Sequence, residues 1–157
     1  MITAAVVTFH TSRKDLVRLM DCVLQSSIDK FFIIDNSTND ALREFASASE
    51  RIAYIHSDNL GFGSGHNVAI NRAIDLGSDY HIIINPDIYW DGNIVEELAQ
   101  FMNENKDCGL LMPKILYPNG EIQYLCKLLP TPLDLFGRRF KKSVMHGMKC
   151  IGVDMTR

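Results

Sequence analysis

Three short apolar runs in this chain each end abruptly in polar side chains. Ala4-Ala5-Val6-Val7 runs into Thr8-Phe9-His10-Thr11-Ser12, Phe31-Phe32-Ile33-Ile34 into Asp35-Asn36-Ser37, and His81-Ile82-Ile83-Ile84 into Asn85-Pro86-Asp87. Runs this short and this uniformly apolar have the pattern of strands covered on both faces, as in a parallel sheet flanked by helices. Parallel strands present their carboxyl ends along one edge, where open α/β sheets bind ligands, so the three polar clusters are expected to converge on one crevice. Taken singly, each cluster is also what an ordinary turn after a strand contains.

The stretches between the runs read as helices and one further strand. Ser12 stands as an N-cap with Asp15 three residues on, and Leu16, Leu19, Met20, Val23 and Leu24 fall on one helical face. A weaker helix is expected over 40–48 and a strand over 52–55. Next come a glycine-rich loop, Asn59-Leu60-Gly61-Phe62-Gly63-Ser64-Gly65, and a helix from about His66 to Leu76 closed by Gly77. After the strand at 81–84, Ile94, Val95, Leu98, Phe101 and Met102 mark another amphipathic helix, capped by Asp91 or Gly92. A short strand is expected over 110–112, and Pro118-Asn119-Gly120 between two apolar triplets signals a hairpin. The order β-α-β-α-β-α-β implies an α/β fold, a mostly parallel Rossmann-like sheet with right-handed crossovers and a small hairpin after its last parallel strand.

At 157 residues and 46% hydrophobic, the chain suffices for a globular core at 1–126, followed by a segment at 127–157. That segment is basic, with Lys127, Arg138, Arg139, Lys141, Lys142, Lys149 and Arg157 against Asp134 and Asp154. Apolar residues interleave with the cations over 133–142, so this stretch rests on an anionic membrane surface, accepts an acidic ligand or forms a solvated basic face. Nucleic acid is not an expected partner, because no recognition motif accompanies the basic residues. No apolar run approaches the roughly 18 residues of a membrane span, and no basic leader precedes the first apolar run, so a soluble intracellular protein is expected. Cys22, Cys108, Cys126 and Cys150 lack any C-x-x-C spacing, which fits reduced thiols.

Gly61, Gly63 and Gly65 either let backbone N–H groups approach a diphosphate at a helix N-terminus or serve a tight strand-to-helix turn. The G-x-G-x-G spacing continues into His66, which departs from a dinucleotide fingerprint. Asp87 is either a ligand for a hard cation that bridges phosphates or a turn aspartate. Asp35, with Asn36 beside it, is placed to accept hydrogen bonds from a base or ribose, or is likewise a turn residue. The five histidines show no metal-ligand spacing, and only His10 belongs to the expected crevice. There is no nucleophile elbow and no P-loop.

The blocks Val6-Val7-Thr8-Phe9-His10, Ile33-Ile34-Asp35-Asn36-Ser37, Asn59-Leu60-Gly61-Phe62-Gly63-Ser64-Gly65-His66-Asn67 and Asn85-Pro86-Asp87-Ile88, with the later Pro113-Lys114-Ile115-Leu116, resemble in order and spacing the signature blocks of family 2 glycosyltransferases. The rhamnosyltransferase-like branch is the nearest in appearance. The resemblance implies a GT-A fold and an inverting enzyme that moves sugar from a nucleotide-diphosphate donor to a saccharide or lipid-linked acceptor, in bacterial cell-surface polysaccharide synthesis. It implies that Thr8, Phe9, His10, Asp35 and Asn36 hold the nucleoside, and that Asn59, Gly61, Phe62, Gly63, Gly65 and Asn67 lie along the diphosphate and sugar. Asp87, with Asn85 where the family's metal motif has its first acid, would hold Mg2+ or Mn2+. It also implies a cytoplasmic location, at the inner face of the membrane, and allows a homo-oligomer.

Two departures qualify the expectation. His10 stands where the family block carries asparagine. The acceptor segment and the E-D motif that supplies the catalytic base have no counterpart, since Asp134 and Asp154 are the only acids after Glu121. The catalytic residues are therefore unknown from sequence, and the chain alone is expected to be nearly inactive. A non-catalytic nucleotide-sugar binding or regulatory module is the alternative.

Overall fold

A computed structural model describes residues 1–59 and 61–123. The boundary expected at 126/127, the basic segment with its 133–142 stretch, Cys126 and Cys150 lie outside the described residues. The chain divides after Cys108 into two compact units.

The first unit carries a parallel sheet of four strands, β1 (Ile2–Thr8), β2 (Lys30–Asp35), β3 (Ile52–His56) and β4 (Tyr80–Ile84), in the order β3-β2-β1-β4. The helices are α1 (Arg13–Gln25) after β1, α2 (Phe62–Asp75) after β3, and α3 (Ile94–Glu104) after β4. Successive strands step outward from β1 to β3, and β4 then returns to the other side of β1. The direction of winding therefore changes between β1 and β4, and their carboxyl ends, Thr8 and Ile84, border the switch point where such sheets bind ligands.

Strand periodicity of two assigns the core. Ala4 and Val6 of β1 with Phe31 and Ile33 of β2 face α1, whose Leu16, Leu19, Met20 and Val23 are buried against them, and Val95 of α3 joins this layer. Ala5, Val7, Phe32 and Ile34 face the opposite way, under Ala69 of α2. The two central strands are buried almost throughout, as their apolar runs require. β4 departs from the expectation of a buried strand: it is an edge of the four-stranded sheet, and Ile83 is 53% exposed.

Several local expectations change. The segment expected as a helix at 40–48 is a 3₁₀ turn, Arg43–Ala48, that buries Phe45 as its one apolar anchor. Ser12 is the N-cap of α1, but its side chain makes no capping bond and only its carbonyl accepts from the Leu16 amide. The N-cap of α3 is Asn93, neither Asp91 nor Gly92, because Gly92 takes a left-handed φ of 75° just before the helix. Residues 110–112 form no strand, and Leu110 is 89% exposed. No helix among the described residues is long and apolar enough to cross a membrane.

In the second unit, β5 (Ile115–Leu116) and β6 (Ile122–Gln123) pair antiparallel. The Tyr117 amide donates to the Glu121 carbonyl and the Gly120 amide to the Tyr117 carbonyl, with Gly120 at φ 84°. This is the three-residue hairpin loop that needs a left-handed glycine at its third position.

Candidate functional site

The carboxyl edge of the sheet is organised around one carboxylate. Thr8 and Asp35 are register partners at the ends of β1 and β2, and Tyr54 stands opposite Ile33, so all three side chains project from the face that α1 covers. Asp35 is 0% exposed. Its Oδ1 accepts from the Thr8 hydroxyl at 3.0 Å and from the Ser37 amide at 3.0 Å, and its Oδ2 accepts from the Tyr54 hydroxyl at 2.8 Å. Burial alone would raise the pKa of this carboxyl, but the hydrogen bonds from Ser37, Tyr54 and Thr8 outweigh it and hold the group below its ordinary value. The same contact, added to burial, pushes the Tyr54 hydroxyl well above the usual phenol range. Asp35 thus holds the strand ends together.

From this post the network reaches the surface through Ser37. The Ser37 hydroxyl accepts from the His10 amide at 2.9 Å, and the His56 Nε2–H donates to the Ser37 carbonyl at 2.8 Å. His10 is held with φ at 51°, a left-handed conformation uncommon outside glycine. Its ring meets Phe9 edge-on with centroids 4.5 Å apart, and both residues are exposed beside the switch point. Of the residues expected at the nucleoside, Phe9 and His10 are therefore accessible, whereas Thr8, Asp35 and Asn36 are buried.

The glycine block is a helix start and not the loop expected from its composition. Asn59 Oδ1 accepts the Gly61 amide at 3.1 Å, Gly61 takes φ 94° as the N-cap, and α2 begins at Phe62. The first intrahelical bond runs from the Gly65 amide to the Gly61 carbonyl, so the amides of Phe62, Gly63 and Ser64 have no carbonyl partner within the helix. Such an end favours an anion.

Each glycine serves differently. A Cβ on Gly63 would meet nothing within 4 Å, whereas one on Gly65 would lie 2.9 Å from both methyls of Val7 and 3.4 Å from Asn36 Nδ2. The buried residues of α2 are Gly65, His66, Ala69 and Ala73, and the three small ones, spaced four apart, let the helix lie directly on β1 and β2. Asn36 is locked there, its Oδ1 accepting from the Ser57 hydroxyl at 2.9 Å. Phe62, Gly63 and Asn67 are exposed.

On the far side of the switch point, β4 ends in a turn closed by the Ile88 amide donating to the Asn85 carbonyl at 3.2 Å, which presents Asn85 and Asp87 as exposed oxygen donors. Among the described residues no three His, Cys, Asp or Glu side chains gather to cage a metal. Asp87 with Asn85 nevertheless fits a hard ion such as Mg2+ or Mn2+, which takes one or two protein oxygens and completes its shell with phosphate and water. Tyr54, His56 and Ser57 complete the site beyond the residues expected from sequence, and Ser37, expected in the polar cluster after β2, links Asp35 to His10. The signal for Tyr54 was strand parity, which puts its side chain on the same face as Asp35.

The family model described as glycosyl transferase family 2 matches residues 4–146. The chain belongs to that family. It is 26% identical over 117 residues to the low-salt glycan biosynthesis hexosyltransferase Agl10 of Haloferax volcanii, an alignment that covers 73% of this chain and 37% of the relative. In structure it resembles TarS of S. aureus, with a TM-score of 0.56 and 18% identity over 67% of this chain and 20% of TarS. The chain thus spans well under half the length of either protein. The family and the parallel sheet with its flanking helices identify the GT-A fold.

Two outcomes follow from the seating of α2. Gly65→Ala forces a methyl into Val7 and should lower stability by about 1–2 kcal/mol despite the better helix propensity of alanine, whereas Gly63→Ala should leave it unchanged or raise it by up to about 1 kcal/mol. Urea unfolding of the two variants gives the comparison, and equal effects would contradict the seating.

The second outcome concerns acid. Among the described residues, His66, 3% exposed, has neither ring nitrogen bonded, and His81 lies on β4 with its Nδ1 2.8 Å from Thr3 Oγ1 and its Nε2 unbonded. Burial lowers the pKa of both, and for His81 the positive charge of a protonated His66 adds to the effect. The unfolded chain takes up protons near the ordinary value of about 6.5 while the folded chain does so only at lower pH, so stability is level above the ordinary value and falls as pH drops below it. The urea midpoint should decline between pH 6.5 and 5 and decline less in His66→Leu; an unaltered slope in the variant would place the proton uptake elsewhere.

Proposed function

We propose that this chain is the donor-binding portion of a glycosyltransferase that holds a nucleotide-diphosphate sugar at the carboxyl edge of its sheet and passes the sugar to a saccharide or lipid-linked acceptor in glycan assembly. The observation that carries the reading is the pairing of the open N-terminus of α2 with the Asn85–Asp87 turn about one switch point, an anion-favouring helix end and an exposed carboxylate at the same edge. Phe9 and His10 offer exposed rings for the nucleoside, and Asn59, Gly61, Phe62, Gly63 and Asn67 border the diphosphate and sugar. The buried Thr8, Asp35, Asn36 and Gly65 shape the crevice from beneath.

Mg2+ or Mn2+ held by Asp87, with Asn85 beside it, would offset diphosphate charge as the leaving group departs. Membership of glycosyl transferase family 2 and the likeness to a glycan-biosynthesis hexosyltransferase support the reading. The sequence blocks favour a rhamnosyltransferase-like donor preference, an inverting displacement and a cytoplasmic site of action.

Calorimetric titration with dTDP, UDP and GDP, each with and without Mn2+, tests the proposal. At least one nucleotide should bind, and Asp87→Ala or EDTA should remove the metal-dependent part of the affinity without unfolding the chain. Absence of binding by all three to folded protein would overturn the donor reading; metal-independent binding equal in wild type and Asp87→Ala would overturn the role of Asp87 alone.

A further inference from the structure

Once β4 ends at Ile84, the backbone that carries Asp87 leaves the sheet and its polar groups need other partners. At Trp90 they are supplied by one side chain of α1. The Cys22 S–H donates to the Trp90 carbonyl, with Sγ and O 3.3 Å apart, and the same sulfur accepts from the Trp90 amide at 3.4 Å. Arg18, one helical turn earlier on α1, lays its guanidinium over the Tyr89 ring, 3.3 Å from the centroid. Ile88 and Trp90 pack inward against the core layer that α1 helps to build. The three residues after Asp87 are therefore fixed to α1 by a side-chain stack, a two-way thiol–backbone contact and apolar packing. Asp87 itself lies within the turn closed by the bond between Asn85 and Ile88.

We infer that Cys22 and Arg18 are positioning residues that hold the Asp87 turn in the geometry needed to engage a divalent cation on a diphosphate. Neither side chain is placed at the ligand; both act through Tyr89 and Trp90. The inference rests on the proposed role of Asp87. Residues that orient a metal ligand from behind typically change metal affinity by about 10- to 100-fold when removed. Serine retains a donor and an acceptor at position 22, whereas alanine leaves both Trp90 backbone groups without the sulfur.

The test uses the 157-residue chain and its only tryptophan, Trp90, as an internal fluorophore. Mn2+ is titrated in the presence of UDP, dTDP and GDP in turn, followed by the electron paramagnetic resonance signal of the free ion, while each nucleotide without metal is titrated separately. In Cys22→Ala the Mn2+-dependent affinity should weaken at least about tenfold with a changed Trp90 emission, metal-free nucleotide affinity should hold, and Cys22→Ser should recover most of the loss. Arg18→Ala should weaken the Mn2+-dependent affinity about threefold, as befits an exposed cation–π stack, and it decides the matter if Cys22→Ala does not fold. Wild-type Mn2+ affinity in folded Cys22→Ala, equal loss in Cys22→Ser and Cys22→Ala, or unchanged affinity in Arg18→Ala would overturn the positioning role while leaving Asp87 in place. Failure of the wild type to bind Mn2+ with any nucleotide overturns the reading of Asp87 and this inference together.

Discussion

The carboxylate of Asp35 is the fixed point from which the site is built. An ionised group with no solvent exposure is costly unless its oxygens are hydrogen-bonded, and here Thr8, Ser37 and Tyr54 supply those bonds. The cost of burial is thereby turned into positional order. The ends of β1, β2 and β3 are tied to one group, and Ser37 passes that order to His10, whose backbone sits in a conformation a free loop would seldom hold. A charge that cannot reach solvent is better suited to fixing geometry than to binding a ligand, and the exposed rings of Phe9 and His10 stand where contact is available.

The two faces of the sheet then divide the work. Strand alternation sends Thr8, Asp35 and Tyr54 toward α1 and sends Val7 and Asn36 toward α2. On the second face, Gly65 removes the one side chain that would hold α2 off Val7, so the helix end that favours an anion comes to rest beside the strand ends. The motif's glycines therefore combine two physical roles. Gly61 supplies a left-handed N-cap and Gly65 supplies close packing, while Gly63 has open space around it.

Much of this was legible in the sequence because the signals were periodic. Apolar runs gave the strands, and the spacing of Leu16, Leu19, Met20 and Val23 gave α1. The order of the blocks placed their polar ends along one edge. What escaped was set by tertiary context. The run 81–84 is as apolar as a central strand yet lies at an edge, since strand order is not written in any single strand. Glycine content suggested a loop at 59–65, whereas the sheet's need for a close-packed helix turned most of it into α2. Asp35 looked available for a ligand because its partners Ser37 and Tyr54 arrive from turn geometry and from a neighbouring strand. The pairing of Cys22 with Trp90, 68 residues apart, leaves no trace in local pattern.

The role of Asp35 as a buried, ionised post is tested most directly by following its carboxyl carbon through an acid titration by NMR. The midpoint is expected below the ordinary aspartate value of about 3.9, with acid loosening the fold as Asp35 takes up its proton, because the stability it contributes above that value is lost as pH falls through the lower folded-state pKa. A midpoint at or above the ordinary value would show that burial outweighs the hydrogen bonds from Thr8, Ser37 and Tyr54, and would contradict the construction of the site around this residue.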